Sequence, residues 1–306
     1  MNRARPGRLR PGSKVRLVAP AGPVDEQLLA RGVAVLESWG LVVELGRHVL
    51  DRHPTLPYLA GLDTHRAADL QAAWCDPTVD AVLCARGGYG SLRMIDLLDF
   101  EAMAEAGPKL FTGSSDITAL HEAIGSRLSV VTLLAPLIAS EVSFDDGAQE
   151  HFRQTLFEPE SVLTMSGPAS ESINDGVASG ITVGGNLSLL SSGVGAENAF
   201  VPPDGSIVLL EDVNEEPYQV DRMLTVLLRS GWFTGVTGIA LGSWTGCGEL
   251  REVHDVVTDL LVGLDVPIVW EMGFGHCVDQ LTIPLGAQAT VDGDLCTVTL
   301  AEPALS

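Results

Sequence analysis

Basic residues are scarce in this chain of 306 residues. Its 18 Lys and Arg stand against 40 Asp and Glu, which leaves a formal net charge of −22. Because a phosphate backbone requires a basic protein face, this balance argues against nucleic acid as a partner. The first sixteen residues carry six basic side chains and form the local exception. Such a terminus is typical of a solvated, partly frayed arm.

Long apolar runs and paired cysteines are also missing. No stretch reaches the ~18 consecutive apolar residues of a membrane span, so we expect no membrane partner. The early apolar run Val15–Ala21 is short for a secretory signal and is broken by Arg16 and Pro20. The five cysteines are widely spaced without a CxxC pair, which argues against a disulfide framework and a zinc knuckle. We therefore expect a cytoplasmic protein.

The first half of the chain alternates short apolar strands with helices. Strands are predicted at residues 15–20, 41–45, 81–85, 109–113 and 129–134, and helices at 25–39, 66–74, 91–99 and 116–124. Continuous apolar strands separated by helices predict a parallel sheet with helices on both faces.

The alternation changes after about residue 158. Residues 159–180 are rich in Pro, Ser and Gly and are interpreted as a linker. Beyond them the pattern predicts strands at 206–212, 236–244 and 266–270, helices at 221–229 and 253–262, and a hairpin around Asp292–Gly293. The fold class is therefore α/β, with an N-terminal domain over residues 1–165 and a second, mixed α/β domain over residues 166–306.

Four strand ends carry sequences suited to a site. Ligands of open parallel sheets bind at the carboxyl ends of the strands. The four ends are RGGYG (86–90), TGSSD (112–116), LLED (209–212) and GFGH (273–276).

Ser115, in TGSSD, directly precedes a predicted helix. The ordinary interpretation is a helix cap, since Ser and Asp side chains accept hydrogen bonds from the free N–H groups of a first turn. The alternative is a nucleophile placed where helix N–H groups stabilise an oxyanion. The local sequence GSSDI resembles the nucleophile elbow GxSxG but lacks its final glycine.

The glycines of RGGYG leave three interpretations open. They could cradle a phosphate, although the stretch is neither GxGxxG nor a P-loop. They could supply the backbone angles of a tight turn, or aim a backbone N–H at an oxyanion.

The two strand ends of the second half offer an acid and a histidine. Glu211 is either an exposed strand terminus or a placed functional acid, with Asp212 and two nearby glutamates as competitors. His276 is a loop histidine, a type that is more often structural than catalytic. The seven histidines form no HxH or HxxxH pair, so neither a metal nor a cofactor is expected.

Taken together, these motifs resemble the LD-carboxypeptidase family of serine peptidases. The similar runs, in chain order, are VRLVAPAGPV, ARGGYGSLRMIDLLDF, SSDITALH, GGNLSLL, LLEDVNEEPYQVDRML and GFGHCVDQLTIPLG, and they span about residues 13 to 300. The family includes murein tetrapeptide LD-carboxypeptidases and microcin C immunity peptidases. The chain departs from it in having Ser114 where an aromatic residue often precedes the nucleophile, and in the extra glutamates of VNEEPY.

The resemblance implies a site in the cleft between the two domains. It implies a catalytic triad of Ser115, Glu211 and His276, in which histidine acts as the base and the carboxylate orients it. It also implies an oxyanion hole formed by the backbone N–H groups of Asp116 and Gly88.

Two further residues complete the expected site. The resemblance places Asn186 of GGNLSLL near the cleft. Arg86 is the candidate for binding the substrate carboxylate, because arginine suits planar, bidentate recognition, and the alternative is a surface ion pair.

The resemblance implies a cytoplasmic, homodimeric carboxypeptidase of peptidoglycan recycling. Its expected substrate is a murein tetrapeptide, cleaved between the L-centre of the third residue and the terminal D-Ala. One alternative is a microcin-immunity peptidase acting on an aminoacyl-nucleotide amide. Residues 170–192 contain no Trp, Tyr or Phe to stack a base, which favours the carboxypeptidase. An alternative of another class is a non-catalytic α/β protein that binds a small ligand.

Overall fold

Two sheets organise the chain. The computed structural model describes residues 3–140, 144–197 and 199–306. The first half comprises β1 (Lys14–Val18), α1 (Glu26–Ser38), β2 (Val42–Leu45), α2 (Asp63–Cys75), β3 (Ala81–Cys84), α3 (Phe100–Ala106), β4 (Leu110–Gly113), α4 (Thr118–Leu128), β5 (Thr132–Leu134) and α5 (Asp146–Phe157). The second half comprises β6 (Thr164–Met165), β7 (Glu171–Asn174), β8 (Val177–Asn186), α6 (Leu187–Ser192), β9 (Ser206–Val213), α7 (Pro217–Arg229), β10 (Gly238–Thr245), α8 (Leu250–Leu261), β11 (Ile268–Trp270), β12 (Ile283–Leu285), β13 (Gln288–Asp292) and β14 (Thr297–Leu300).

The first sheet has the strand order β12-β5-β4-β3-β1-β2. Strands β1 to β5 are parallel, and β12 pairs with β5 in the antiparallel sense. Every residue of β3, β4 and β5 is buried, as expected for strands that helices cover on both faces. The predicted parallel sheet is confirmed.

The second sheet is mixed, with the order β6-β14-β13-β8-β9-β10-β11-β7. Its centre, β8 to β11, is parallel, and the strands at its two sides are antiparallel. Strands β13 and β14 form the hairpin predicted around Asp292–Gly293. The predicted fold class is confirmed: the chain is α/β, with one parallel sheet flanked by helices and a second domain built on a mixed sheet.

The two halves share apolar packing. One continuous cluster of buried side chains contains Leu17 and Leu110 of the first sheet together with Leu209 and Val269 of the second. Strand β12, from late in the chain, lies in the first sheet, whereas β6, which ends at Met165, lies in the second. The domain boundary between residues 165 and 166 stays a prediction.

The helix predicted over residues 91–99 is wrong. The segment forms two short 3₁₀ turns, and the α-helix α3 begins only at Phe100. The Oγ of Ser91 donates to the carboxylate of Asp116 (2.5 Å), which pins the start of the segment to another loop. The side chain of Asp99 accepts from the N–H of Ala102 and begins a new helix there.

The region from residue 144 to 180 contains more structure than the sequence pattern indicated. Helix α5 begins after Asp145, whose carboxylate accepts from the N–H of Ala148, and its Phe152 packs edge-to-face on Trp39 with ring centroids 6.1 Å apart. The interpreted linker holds β6, β7 and the start of β8. These short strands lie beside longer ones, and that pairing depends on distant partners.

Helix α7 starts four residues earlier than predicted. Glu216 is the cap residue, and its backbone N–H donates to the side chain of Gln219 (2.8 Å). Pro217 occupies the first helical position, where its missing N–H costs no hydrogen bond.

The basic arm is ordered over its described residues, so the expected fraying is wrong. Leu9 is buried, and the carbonyl of Pro6 accepts from the N–H of Ser306 (2.9 Å). Arg8 pairs with Glu160 (2.5 Å). The N-terminal arm is therefore hydrogen-bonded to the C-terminal residue of the chain.

Candidate functional site

Ser115 lies at the carboxyl end of β4, on the turn that leads into α4. Its φ of +63° falls in the left-handed region, which residues with a Cβ rarely adopt. Ser115 is partly exposed, whereas Ser114 is buried. In this described turn, the side chain of Ser114, the residue at the cap position, makes no capping hydrogen bond. The geometry is that of a nucleophile elbow, in which a strained serine sits between strand and helix.

The RGGYG loop approaches Ser115 through Gly87. A Cβ added to Gly87 would lie 2.8 Å from the Cβ of Ser115 and 3.1 Å from its Oγ. Only glycine permits this approach. Gly88 follows with a φ of +102° and is exposed, and the carbonyl of Gly87 accepts from the N–H of Gly22 (2.8 Å). The RGG pattern marks this turn in the sequence, but it does not distinguish Gly87 from the neighbouring glycines.

Glu211 and His276 meet although 65 residues separate them. The Oε2 atom of Glu211 lies 2.7 Å from Nδ1 of His276. Glu211 is fully buried in β9, and His276 is partly exposed. Gly275 makes the contact possible, because a Cβ at that position would lie 2.5 Å from the same Oε2. The structure therefore brings together the acid and the base that the sequence predicted, and leaves Nε2 of the ring for other partners.

Asn186 links the buried acid to the helix that follows the serine. Strands β8 and β9 pair in a register that places Asn186 beside Glu211, and Nδ2 of Asn186 lies 3.3 Å from Oε1 of Glu211. The same Nδ2 donates to Asp212 (2.9 Å), and the backbone N–H of Asn186 donates to Oγ1 of Thr118 (3.0 Å). The side chain of Asn186 therefore contacts both buried carboxylates.

Two adjacent buried carboxylates shape the electrostatics. Burial, followed by the charge of Glu211, raises the pKa of Asp212 to about 7. Burial of the His276 ring lowers its pKa, but the charge and hydrogen bond of Glu211 together outweigh that effect and leave the pKa above its usual value. The imidazolium form is therefore stabilised by the acid beside it.

The side chains of Asp116 and Arg86 make polar contacts with neighbouring loops. The carboxylate of Asp116 is buried and accepts from the backbone N–H of Ser91 (2.8 Å), which joins the TGSSD and RGGYG segments. Burial raises the pKa of this carboxyl. Arg86 is exposed and donates to the carbonyl of Pro23 (3.1 Å), a contact that is not an ion pair.

The serine and the histidine are not hydrogen-bonded to each other. The hydrogen bonds of the described residues include none between Ser115 and His276. In ligand-free enzymes such catalytic contacts are often long and shorten when substrate binds. The connection runs instead through Thr118, Asn186 and Glu211.

The chain matches a known family of serine peptidases over most of its length. Residues 15–135 match the LD-carboxypeptidase N-terminal domain, and residues 179–291 match the LD-carboxypeptidase C-terminal domain. The chain belongs to the LD-carboxypeptidase family.

Individual relatives cover nearly the whole chain. A Streptomyces coelicolor protein, provisionally named carboxypeptidase SCO6489, is 53% identical over 98% of this chain and 97% of its own. The murein tetrapeptide carboxypeptidase of Pseudomonas aeruginosa is 29% identical over 92% of this chain and 94% of its own. The structure of MccF in complex with glutamyl sulfamoyl guanosine matches with a TM-score of 0.88 at 23% identity and covers 99% of each chain. The last comparison concerns the fold alone.

Among the described residues, no helix is long and apolar enough to cross a membrane.

The strain at Ser115 predicts an unusual stability order. Ser115→Gly and Ser115→Ala both remove Oγ, but only alanine keeps a Cβ in the left-handed region. We expect Ser115→Gly to have the higher free energy of unfolding, by roughly 1 kcal/mol, in urea titrations. Ser114, whose φ of −146° is extended, is the matched control. There glycine should be less stable than alanine. The same order at both positions would contradict the strain argument.

The pKa of His276 should depend on Glu211. In Glu211→Gln the charge that raises it is absent while burial still lowers it, so the pKa should fall below that of the parent protein. An NMR titration of labelled histidine measures the shift. Glu215→Gln, which removes a nearby carboxylate outside the pair, should leave the His276 pKa close to the parent value. An unchanged or higher pKa in Glu211→Gln would show that the contact does not control the ring.

Proposed function

We propose that this protein is a serine LD-carboxypeptidase that releases terminal D-Ala from a murein tetrapeptide. The observation that carries the proposal is the 2.7 Å contact between a fully buried Glu211 and His276. Asn186 and Thr118 link this pair to the helix that follows Ser115, which lies at a strained elbow. A serine hydroxyl is a poor nucleophile without a base, and a neutral imidazole oriented by a carboxylate is such a base.

The proposed reaction begins with attack on the amide carbonyl of the third substrate residue. Oγ of Ser115 bonds to this carbon while Nε2 of His276 accepts the hydroxyl proton. The negative oxygen of the tetrahedral intermediate accepts hydrogen bonds from the backbone N–H groups of Asp116 and Gly88. The intermediate then collapses, the C–N bond breaks, and His276 returns the proton to the leaving amine of D-Ala. Water repeats the sequence on the acyl-enzyme and frees the serine.

Several features support this division of labour. Gly87 allows the RGGYG backbone to lie against Ser115, where a backbone N–H donor would be needed. The raised pKa of His276 suits a group that holds a proton in the intermediate. Asn186 and Glu211 are held by hydrogen bonds within a packed sheet, so the base requires little reorganisation.

The substrate is proposed from the relatives and from one sequence feature. A relative at 29% identity is named for murein tetrapeptide, and residues 170–192 of this chain contain no aromatic side chain to stack a nucleobase. The alternative substrate is an aminoacyl-nucleotide amide of the kind that MccF holds. Incubation of the protein with each compound, followed by detection of free D-Ala or of the free amino acid, distinguishes them.

We also propose that the protein works in the cytoplasm as a homodimer. The motivation is family resemblance. Light scattering after size-exclusion chromatography tests the dimer, and a monomer at micromolar concentration would exclude it.

The triad assignment predicts a graded loss of activity. Ser115→Ala and His276→Ala should each lower kcat by about 10⁶-fold, and Glu211→Gln by about 10⁴-fold, because the members act as a unit. The double variant Ser115→Ala/His276→Ala should be little worse than either single variant. Ser114→Ala, one residue away and buried, is the matched control and should retain most activity. D-Ala release and thermal melting are measured on the same samples.

Two outcomes would overturn the assignment. Near-normal turnover by Ser115→Ala together with loss in Ser114→Ala would place the nucleophile one residue earlier. Full turnover by both would leave only a ligand-binding protein.

Stereochemistry supplies a second prediction. The protein should cleave a tetrapeptide whose last bond joins an L-centre to D-Ala, and should leave the matching peptide with L-Ala intact. The two peptides are compared at equal concentration by chromatography of the products. Equal turnover of both would exclude LD specificity, even if the serine mechanism holds.

A further inference from the structure

A second cluster of reactive side chains lies beside the edge strand β2. Nδ1 of His48 is 2.9 Å, and Nδ1 of His65 is 3.1 Å, from the same Oδ2 atom of Asp51. The two imidazole rings stack with centroids 4.0 Å apart and an interplanar angle of 26°. Two neutral imidazoles and a carboxylate are a ligand combination that Zn²⁺ and similar ions prefer. The three residues match no metal-binding spacing, which is why the sequence pattern did not indicate them.

The spacing of the three atoms suits a metal ion. Metal–ligand bonds of about 2.1 Å in tetrahedral geometry place neighbouring ligand atoms about 3.4 Å apart. The present separations of 2.9 and 3.1 Å need to widen by only a few tenths of an ångström. The ligand atoms that the three residues offer all lie within 4.8 Å of one another. With each ring proton on Nε2, both Nδ1 atoms are able to bind a metal ion. All three side chains are partly exposed, so water can supply the fourth ligand.

The backbone that carries the cluster is held in place. The N–H of His48 donates to the buried carboxylate of Asp69 (2.7 Å), and the N–H of Asp51 donates to the carbonyl of His48 (2.9 Å). Gly61 lies so close to Asp51 that an added Cβ would be 2.7 Å from the Cβ of Asp51. His65 is fixed on the first turn of α2. The ligands are thus pre-positioned on two connected elements, which lowers the cost of binding an ion.

We propose that His48, Asp51 and His65 form a binding site for a divalent transition-metal ion, with Zn²⁺ as the representative. The site is separate from Ser115, Glu211 and His276, and the ion takes no part in hydrolysis.

The ion would order the segment that contacts the RGGYG loop. In the segment between Asp51 and His65, the N–H of Ala60 donates to the carbonyl of Ala21 (2.9 Å). The next residue, Gly22, donates its N–H to the carbonyl of Gly87, the glycine that lies against Ser115. Within the same segment, Tyr58 packs edge-to-face on Tyr89 of the RGGYG loop, with ring centroids 5.7 Å apart. An ion that joins the two ends of this segment would therefore restrict the motion of the loop beside the serine.

Calorimetric titration with ZnCl₂ tests the site on the full chain after treatment with a chelator and desalting. We expect one equivalent to bind and Tm to rise by several degrees in excess Zn²⁺. His65→Ala and Asp51→Asn should each weaken binding by more than about 100-fold, since they remove a ligand. His254→Ala is the matched control, because His254 also lies beside carboxylates (Glu171 at 3.5 Å) at a partly exposed position. It should bind Zn²⁺ like the parent protein.

Addition of Co²⁺ in place of Zn²⁺ gives an independent signal. The visible absorption of Co²⁺ changes when nitrogen and oxygen ligands of the protein replace its water ligands. The spectrum should appear with the parent protein and with His254→Ala, and should be lost in Asp51→Asn. Melting of each variant without metal shows that it is folded. Absence of a saturable equivalent in the parent protein would overturn the proposal, as would equal binding by His65→Ala and the parent. Hydrolysis by the metal-free protein should persist, so loss of the metal site and loss of the proposed activity are distinguishable.

Discussion

A carboxylate with no access to water is the constraint around which the candidate site is built. Glu211 is fully buried at the end of a central strand, where an unpaired charge would cost several kcal/mol. It is stabilised by His276 at 2.7 Å and by Asn186 at 3.3 Å. Each partner imposes a further requirement: the histidine loop needs glycine at position 275, and Asn186 needs the exact parallel register of β8 on β9.

The same contacts join the two halves of the molecule. The backbone of Asn186 is fixed relative to the first half of the chain, because its N–H donates to Thr118 on the helix that follows Ser115. One apolar cluster runs through both sheets, and β12 crosses from the second half into the first sheet. A serine on one half and an acid–histidine pair on the other are therefore placed by packing and not by a mobile linker. Fixed geometry of this kind is what acyl transfer requires.

Local patterns predicted most of the architecture. Buried parallel strands show as continuous apolar runs, so β1 to β5 and β9 to β11 were found close to their observed positions. The failures have a common cause. Residues 91–99 have helical periodicity but are tied to Asp116, and the short strands between residues 164 and 174 exist only because β14 and β11 lie beside them. Hydrophobic periodicity along the chain gives no information about these partners, because they are distant in sequence.

The sequence by itself determined which residue types stand at the strand ends, and the family motifs pointed to Ser115, Glu211 and His276 as a group. Only the tertiary structure decided that Glu211 rather than Asp212 faces the histidine, that Gly87 is the glycine against the serine, and that Asn186 supports the acid. The tertiary structure alone likewise gathered His48, Asp51 and His65. The physical reason is that hydrogen bonds and close backbone approaches depend on distances of a few tenths of an ångström between segments far apart in sequence, whereas composition and periodicity describe only neighbours along the chain.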